Sequence, residues 1–264
     1  PSRARPVVIN GCIAKAPAVA TLRVLGSGDA FNSGGAQHAA YLLDHASGSL
    51  LLECGPGVLA AMKRDGVTTT APDAVLISHL HGDHFGGLPF LLLEYTYMAA
   101  RTRPLIIAGP PTTERRLTEL ATALYAKDMV AAPPCPLEFV ELSDGTRATL
   151  AGVEVEAFEV PHQASPFSLG YRLGVSGGSM LFSGDSAWTE KFVEMSADTD
   201  LFLCECCTME PADSGHTNYR ELLANHHRLS CRRLLLTHLG QDVRSAAGVE
   251  LERARDGMTI EFGG

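Results

Sequence analysis

Four metal-capable side chains, His79, His81, Asp83 and His84, fall within six consecutive residues, and this run constrains the chain more than any other feature. The apolar stretch Asp73-Ala-Val-Leu-Ile-Ser78 before it reads as a buried strand, and Pro72 and Gly82 punctuate either side. Phe85-Gly-Gly-Leu-Pro89 leads out toward a helix. The candidate ligands are therefore expected on a loop after a strand, where a rigid sheet can position them. Neutral imidazoles with a carboxylate suit zinc, iron or manganese. Adjacent residues rarely point the same way. His79 and His81 are thus expected to converge on one ion, and Asp83 and His84 on a second.

The pattern His79-x-His81-x-Asp83-His84 after a buried strand resembles the signature of the metallo-β-lactamase fold superfamily. The resemblance implies a four-layer αββα sandwich with a two-metal site on the edge between two sheets. It implies that site far more than it implies a substrate. Three more residues lie where the superfamily pattern expects them: His162 after Val153–Val160, Asp185 in a Ser-Gly-Asp-Ser turn, and His238 after Leu234-Leu-Leu-Thr. Carried over, the resemblance puts His79, His81 and His162 on the first metal. Asp83, His84 and His238 go on the second, and Asp185 bridges both. It further implies two divalent ions, zinc in first place with manganese or iron compatible, that share a hydroxide at neutral pH. Asp83 counts with the catalytic groups as well as the ligands. Acceptors outside the ligand set must hold each imidazole's second nitrogen, and the sequence does not reveal them.

Two further stretches narrow the branch. Gly26-Ser-Gly28-Asp-Ala-Phe-Asn-Ser-Gly34-Gly35 follows the strand-like Ala20–Leu25, and no Gly-Lys-Ser/Thr comes after it, which excludes a Walker loop. It resembles the first motif of ribonuclease Z-like proteins, a glycine-bent loop beneath the metal site. Leu203-Cys-Glu205-Cys-Cys-Thr-Met and Ser214-Gly215-His216-Thr217-Asn-Tyr-Arg-Glu221 resemble the segment that carries a glutamate and a helix-leading histidine in the same proteins. That implies His216 as proton donor or transition-state stabiliser, oriented by Glu205. One departure matters. Ribonuclease Z proteins grip transfer RNA with a long arm between the positions matching His162 and Asp185, and here only residues 163–184 lie between. A net charge of −9 points the same way, because a nucleic-acid footprint needs clustered Lys and Arg. The expected activity is cleavage of a small or cyclic phosphodiester rather than structured RNA. The alternative is a lactone, carboxylic-ester or thioester hydrolase of the same fold. The intact ligand set weighs against a non-enzymatic metal-binding sensor.

The remaining features fit one domain over 1–264, with 1–20 as an N-terminal extension. At 264 residues and 45% hydrophobic content the chain can bury a sizeable core, and no apolar run reaches the roughly 20 residues of a membrane span. The seven cysteines are odd in number and follow no ladder spacing, which suits reduced thiols in the cytoplasm. A third metal at Cys204, Cys206 and Cys207 is an alternative that lacks a fourth ligand. A hairpin is expected from Gln37–Leu43 and Ser49–Glu53. Helices are expected at Pro56–Arg64, Leu88–Ala99, Thr112–Tyr125 (capped by Thr112 or Thr113), Asn218–Leu229 and around Val243–Arg253, followed by a short tail. His38 is expected either to face the site mouth or to hydrogen-bond locally, the second being the favoured reading. Phe85–Ala99 carries more apolar surface than one helix face needs, and ribonuclease Z-like relatives commonly pair, so a homodimer is expected.

Overall fold

Alternating residues of the apolar strands face two different cores, and this decides the architecture. In the strand Gly48–Leu52, Leu50 and Leu52 join one buried cluster and Leu51 another; in Ala74–Leu76, Ala74 and Leu76 part from Val75 in the same way. A strand buried on both faces must sit in a sheet covered on both sides. The computed structural model describes residues 19–126, 129–164, 166–212 and 215–264. Most of the expected N-terminal extension, including Cys12, and Ser214 of the Gly-His segment lie outside the described residues.

Among the described residues, fourteen strands form two seven-stranded sheets. The first contains β1 (Ala20–Gly26), β2 (Ala40–His45), β3 (Gly48–Leu52), β4 (Ala74–Leu76), β5 (Leu105–Gly109) and β6 (Leu137–Glu141). The second contains β7 (Arg147–Leu150), β8 (Val153–Val160), β9 (Ser168–Val175), β10 (Gly178–Phe182), β11 (Leu201–Glu205), β12 (Arg233–Thr237) and β13 (Glu252–Arg253). The last strand, β14 (Thr259–Phe262), returns to pair antiparallel with β1 at the edge of the first sheet. Strands β3 to β6 run parallel, as do β10 to β13, so several strand ends share one edge of the sandwich.

Leu22, Val24, Tyr41 and Leu52 of the first sheet meet Val155, Tyr171, Phe182 and Leu203 of the second in the central core. Helices α1 (Val58–Arg64), α3 (Leu88–Tyr97) and α4 (Thr113–Tyr125) cover the outside of the first sheet. Helices α5 (Lys191–Met195), α6 (Tyr219–Asn225) and α7 (Gln241–Ser245) cover the second. Each fully buried Leu or Phe stabilises such a core by about 1.5–3 kcal/mol. The result is the αββα sandwich.

Several local expectations need correction. The helix expected around Val243–Arg253 ends at Ser245, and Glu252–Arg253 is instead a short strand beside β12. The tail is β14 rather than a free end. Helix α5 was not foreseen; its buried Phe192 packs on Phe202 at 5.4 Å between ring centroids. Neither threonine caps α4 through its side chain onto the helix. Thr112 is left-handed at φ 75°, its N–H donates to Glu141, and the Thr113 hydroxyl donates back to the Pro110 carbonyl. Helix α6 is capped by Asn218, whose side chain accepts from the Glu221 N–H at 2.9 Å.

Candidate metal centre

The site grows from strand ends. Strand β4 delivers Ser78 and His79, and the chain then turns into the single helical turn α2 (Gly82–Phe85), which carries Asp83 and His84. His162 follows β8, Asp185 follows β10, and His238 follows β12. Glu205 closes β11, and His216 lies ahead of α6. The loop after β1 ties the two sheets together here: Gly28 bridges to both His38 and Leu239. Only glycine fits at Gly26, where an added Cβ would lie 1.9 Å from the His38 carbonyl oxygen. Gly184, with φ 59°, likewise leaves no room beside the Leu169 carbonyl and lets the chain turn Asp185 inward.

All seven expected ligands converge. His79, His81 and His162 offer three ring nitrogens within 4.8 Å of one another, and Asp83, His84, Asp185 and His238 offer a second set as close. His162 Nε2 and His81 Nδ1 face each other at 3.3 Å. Asp185 Oδ2 lies between the two sets, 3.2 Å from His84 Nε2, 3.3 Å from His238 Nε2 and 3.9 Å from His79 Nε2. Asp83 Oδ2 is 3.2 Å from His84 Nε2 and 3.3 Å from His238 Nε2. His79 and His84 are almost completely buried, and His79 Nε2 has no hydrogen-bond partner. Unpaired polar atoms this deep are costly. Imidazole and carboxylate donors aimed at two shared centres are what divalent cations such as zinc require. The donor set therefore fits two ions.

The acceptors that fix the rings, which the sequence did not reveal, are now visible. Ser78 Oγ lies 2.9 Å from His79 Nδ1, and the Gly215 carbonyl oxygen 2.9 Å from His162 Nδ1. Glu53 stands 3.5 Å from His84 Nδ1 and accepts the Ser78 N–H at 3.0 Å. Each contact turns the opposite ring nitrogen toward the centre. Glu53 is wholly buried and left-handed, with φ 61°, and His238 has φ 51°. Non-glycine residues in that region store strain, and such strain gathers at functional sites. A carboxylate ending the apolar run Leu50-Leu-Leu was the signal that could have singled out Glu53.

Electrostatics follow the crowding. Burial opposes charge on Asp185, but the imidazoles of His238, His84 and His79 hold its carboxyl well below the usual range. Burial likewise opposes charge on His84, yet Asp185, Asp83 and Glu53 raise its pKa well above the ordinary histidine value. At His79 burial dominates and, with His84 beside it, pushes the pKa well down.

Beside this centre, His216 Nδ1 sits 3.0 Å from Glu205 Oε2 and 3.9 Å from Asp185 Oδ2, and its ring stacks on His238 at 5.6 Å. Glu205 also accepts the Ser186 N–H, which fixes it from the other side. Burial and the nearby Asp185 raise Glu205; burial lowers His216, but the Glu205 hydrogen bond and charge more than offset it and raise its pKa. Both shifts favour the protonated form of each group. His38 does bond locally, with Nε2 3.3 Å from the Ala30 carbonyl. The cysteine triplet does not assemble as a site. Cys204 and Cys206 are buried in the core of the second sheet, whereas Cys207 alone of the three lines the metal cleft.

This fold and its paired clusters define a metal-dependent hydrolase of the metallo-β-lactamase fold, in the ribonuclease Z-like branch. Within it, residues 20–256 match the family described as anti-Pycsar protein Apyc1, and the chain belongs to that family. It is 28% identical over 236 residues to a ribonuclease Z of Mycobacterium marinum, covering 81% of this chain and 83% of the relative. Among solved structures it is similar to the metallo-β-lactamase fold protein YhfI from Bacillus subtilis, with TM-score 0.71 and 21% identity over 92% of this chain and 99% of that one. A diphosphatase from the PhnP family matches with TM-score 0.72 and 18% identity, covering 92% of this chain and 98% of the other. Among the described residues no helix is long and apolar enough to cross a membrane.

Proposed function

We propose that the protein hydrolyses a phosphodiester bond in a small or cyclic substrate, with His79, His81 and His162 holding one divalent ion, Asp83, His84 and His238 a second, and Asp185 reaching both. Zinc is the metal that these donors suit first. When bound, two such ions polarise a phosphoryl oxygen and lower the pKa of water toward neutrality. The chain's own contribution is to hold the proton. His216, kept protonated by Glu205, faces the cleft where an ester oxygen would leave, and donates to it. Asp83 shares the second set and presents a carboxylate to the same cleft. The observation that carries this reading is the pairing of His216 with Glu205 at 3.0 Å beside the two ligand sets. His216 lines one cleft with Asp83, His162, Asp185 and His238, so a proton donor and both ligand sets face the same space. Between His162 and Asp185 the described residues form the β9–β10 hairpin, paired within the sheet. That arrangement suits a small ester better than a folded RNA. The names of the ribonuclease Z and diphosphatase relatives agree with phosphate ester chemistry.

Turnover of bis-p-nitrophenyl phosphate and cyclic nucleotides, assayed beside lactones and thioesters, tests the reading. Phosphodiester cleavage is expected; efficient lactone or thioester turnover without it would replace the reading with a carboxylic-ester hydrolase. Elemental analysis of the purified protein is expected to give close to two ions per chain. Glu53→Gln should weaken metal affinity by about 10–100-fold, measured by competition with a chromophoric chelator, because the His84 ring loses its charged partner. Wild-type affinity in that variant would show that Glu53 does not orient His84. The proposal extends to a homodimer, since Tyr97 and Met98 leave apolar surface at the end of α3, 67% and 76% exposed, and to a cytoplasmic setting, which free thiols suit. A concentration-independent monomer in light scattering would contradict the dimer.

A further inference from the structure

The loop between β1 and β2 presents an aromatic ring to water at the mouth of the metal cleft. Phe31 is 85% exposed and lines the same cavity as His81, Asp83 and His216. A lone exposed hydrophobe needs no explanation by itself. This one sits on a loop held by side-chain hydrogen bonds. Asp29, 3% exposed, accepts the N–H groups of Phe31 at 3.2 Å and Ser33 at 2.9 Å, and the Ser33 hydroxyl at 2.7 Å. Asn32 is left-handed, at φ 53°, and its side-chain amide donates to the Ala36 carbonyl at 2.8 Å. The loop therefore fixes the ring in the open rather than letting it fold onto the core.

A second observation points to the same end of the cleft. A larger cavity, about 890 Å³, opens between α2, α3 and α4 and shares Ala30 and Asp83 with the metal cleft. Its walls include Leu80, Phe85, Phe90, Leu120 and Leu124, with Arg116 and Glu119 at α4. A phosphate held between the two ligand sets would thus carry its organic group past Phe31 toward an apolar recess.

We infer that Phe31 is a specificity-determining residue that stacks on a flat aromatic ring in the organic part of the ester, the α3–α4 recess receiving what the ring does not cover. This rests on the phosphodiesterase reading. A preorganised ring suits the role, because little conformational entropy is lost when it is covered. Stacking is indifferent to the hydrogen-bonding edge of the partner, so Phe31 would select for an aromatic group without choosing among such groups.

The test compares Phe31→Ala with the wild-type metal-loaded enzyme on two six-membered cyclic diesters, a nucleoside 3′,5′-cyclic phosphate and 1,3-propanediol cyclic phosphate. KM for the nucleotide should rise about tenfold with kcat nearly unchanged, KM for the propanediol ester should not move, and Phe31→Trp should restore the nucleotide KM. Calorimetric titration with a nucleoside monophosphate and with methyl phosphate gives a readout independent of turnover, and only the first should weaken in Phe31→Ala. Equal effects on both members of either pair, or no effect on either, would overturn the inference. So would a loss of self-association in light scattering that accompanies the kinetic change, because Phe31 would then belong to a contact between copies. If the wild type cleaves neither diester, the phosphodiesterase reading fails while the titrations still decide the role of Phe31.

Discussion

His216→Ala is expected to slow phosphodiester turnover by about 10²–10⁴-fold, the range a positioned acid contributes, with metal content unchanged. The role proposed for His216 separates these two readouts. Its Nδ1 is engaged by Glu205 at 3.0 Å, and although His216 also lies close enough to Asp185 and His238 to share a metal-holding cluster with them, the proposal gives it the proton rather than an ion. Losing it removes a proton and leaves the seven ligands in place. Glu205→Gln should have the same phenotype in milder form, since it weakens the orientation and charge that raise the His216 pKa. The pH profile carries the sign. A raised pKa means that His216 stays protonated above its ordinary value of about 6.5 and loses the acid form as pH rises through the folded value. The alkaline limb of kcat should therefore lie above that pH in the wild type, move down in Glu205→Gln, and lose this component in His216→Ala. Loss of one metal equivalent in His216→Ala would make His216 a ligand. Unchanged rate and metal content would remove it from the reaction altogether.

Much of the sandwich was legible because its strands announce themselves. Apolar runs such as Leu50-Leu-Leu, Ala74-Val-Leu and Leu234-Leu-Leu divide their side chains between two cores, and turn residues bound them. Ligands follow β4 and β12 directly, so finding the strand found the site. What stayed hidden depends on contacts distant in sequence. Nothing local in Thr259–Phe262 says that it pairs with β1, more than 230 residues away along the chain, and Glu252–Arg253 is a strand only because β12 lies alongside. The acceptors behind the rings were hidden for the same reason. Glu53 reaches His84, and the Gly215 carbonyl reaches His162, across separate elements. His38 and Cys207 show the converse: both are ligand types, yet position decides that one bonds to a neighbouring carbonyl while the other lines the cleft. Residue type proposed candidates, and the shared edge of the two sheets sorted them.

Asp185→Ala should damage metal binding and activity together, lowering turnover by on the order of 10⁴-fold or more, because the metals' share of transition-state stabilisation is several kcal/mol. Asp185 Oδ2 lies within 3.2–3.9 Å of ring nitrogens from both ligand sets, so its loss removes the carboxylate that the proposal shares between the two ions. Its loss also leaves His79, His84 and His238, three buried imidazoles, without the carboxylate that offsets their crowding. A conservative Asp185→Asn change keeps the shape but removes the charge, and it should lose metal as well. Stability provides an independent measure. A ligand that binds only the folded state raises its stability by RT ln(1 + [L]/Kd), so a chelator should lower the wild-type Tm. In Asp185→Ala that shift should shrink or vanish, with the variant starting near the chelated wild-type value. A variant that kept two ions and its full chelator response would show that Asp185 is not shared between the metals, and the two sets would then have to be treated as separate sites.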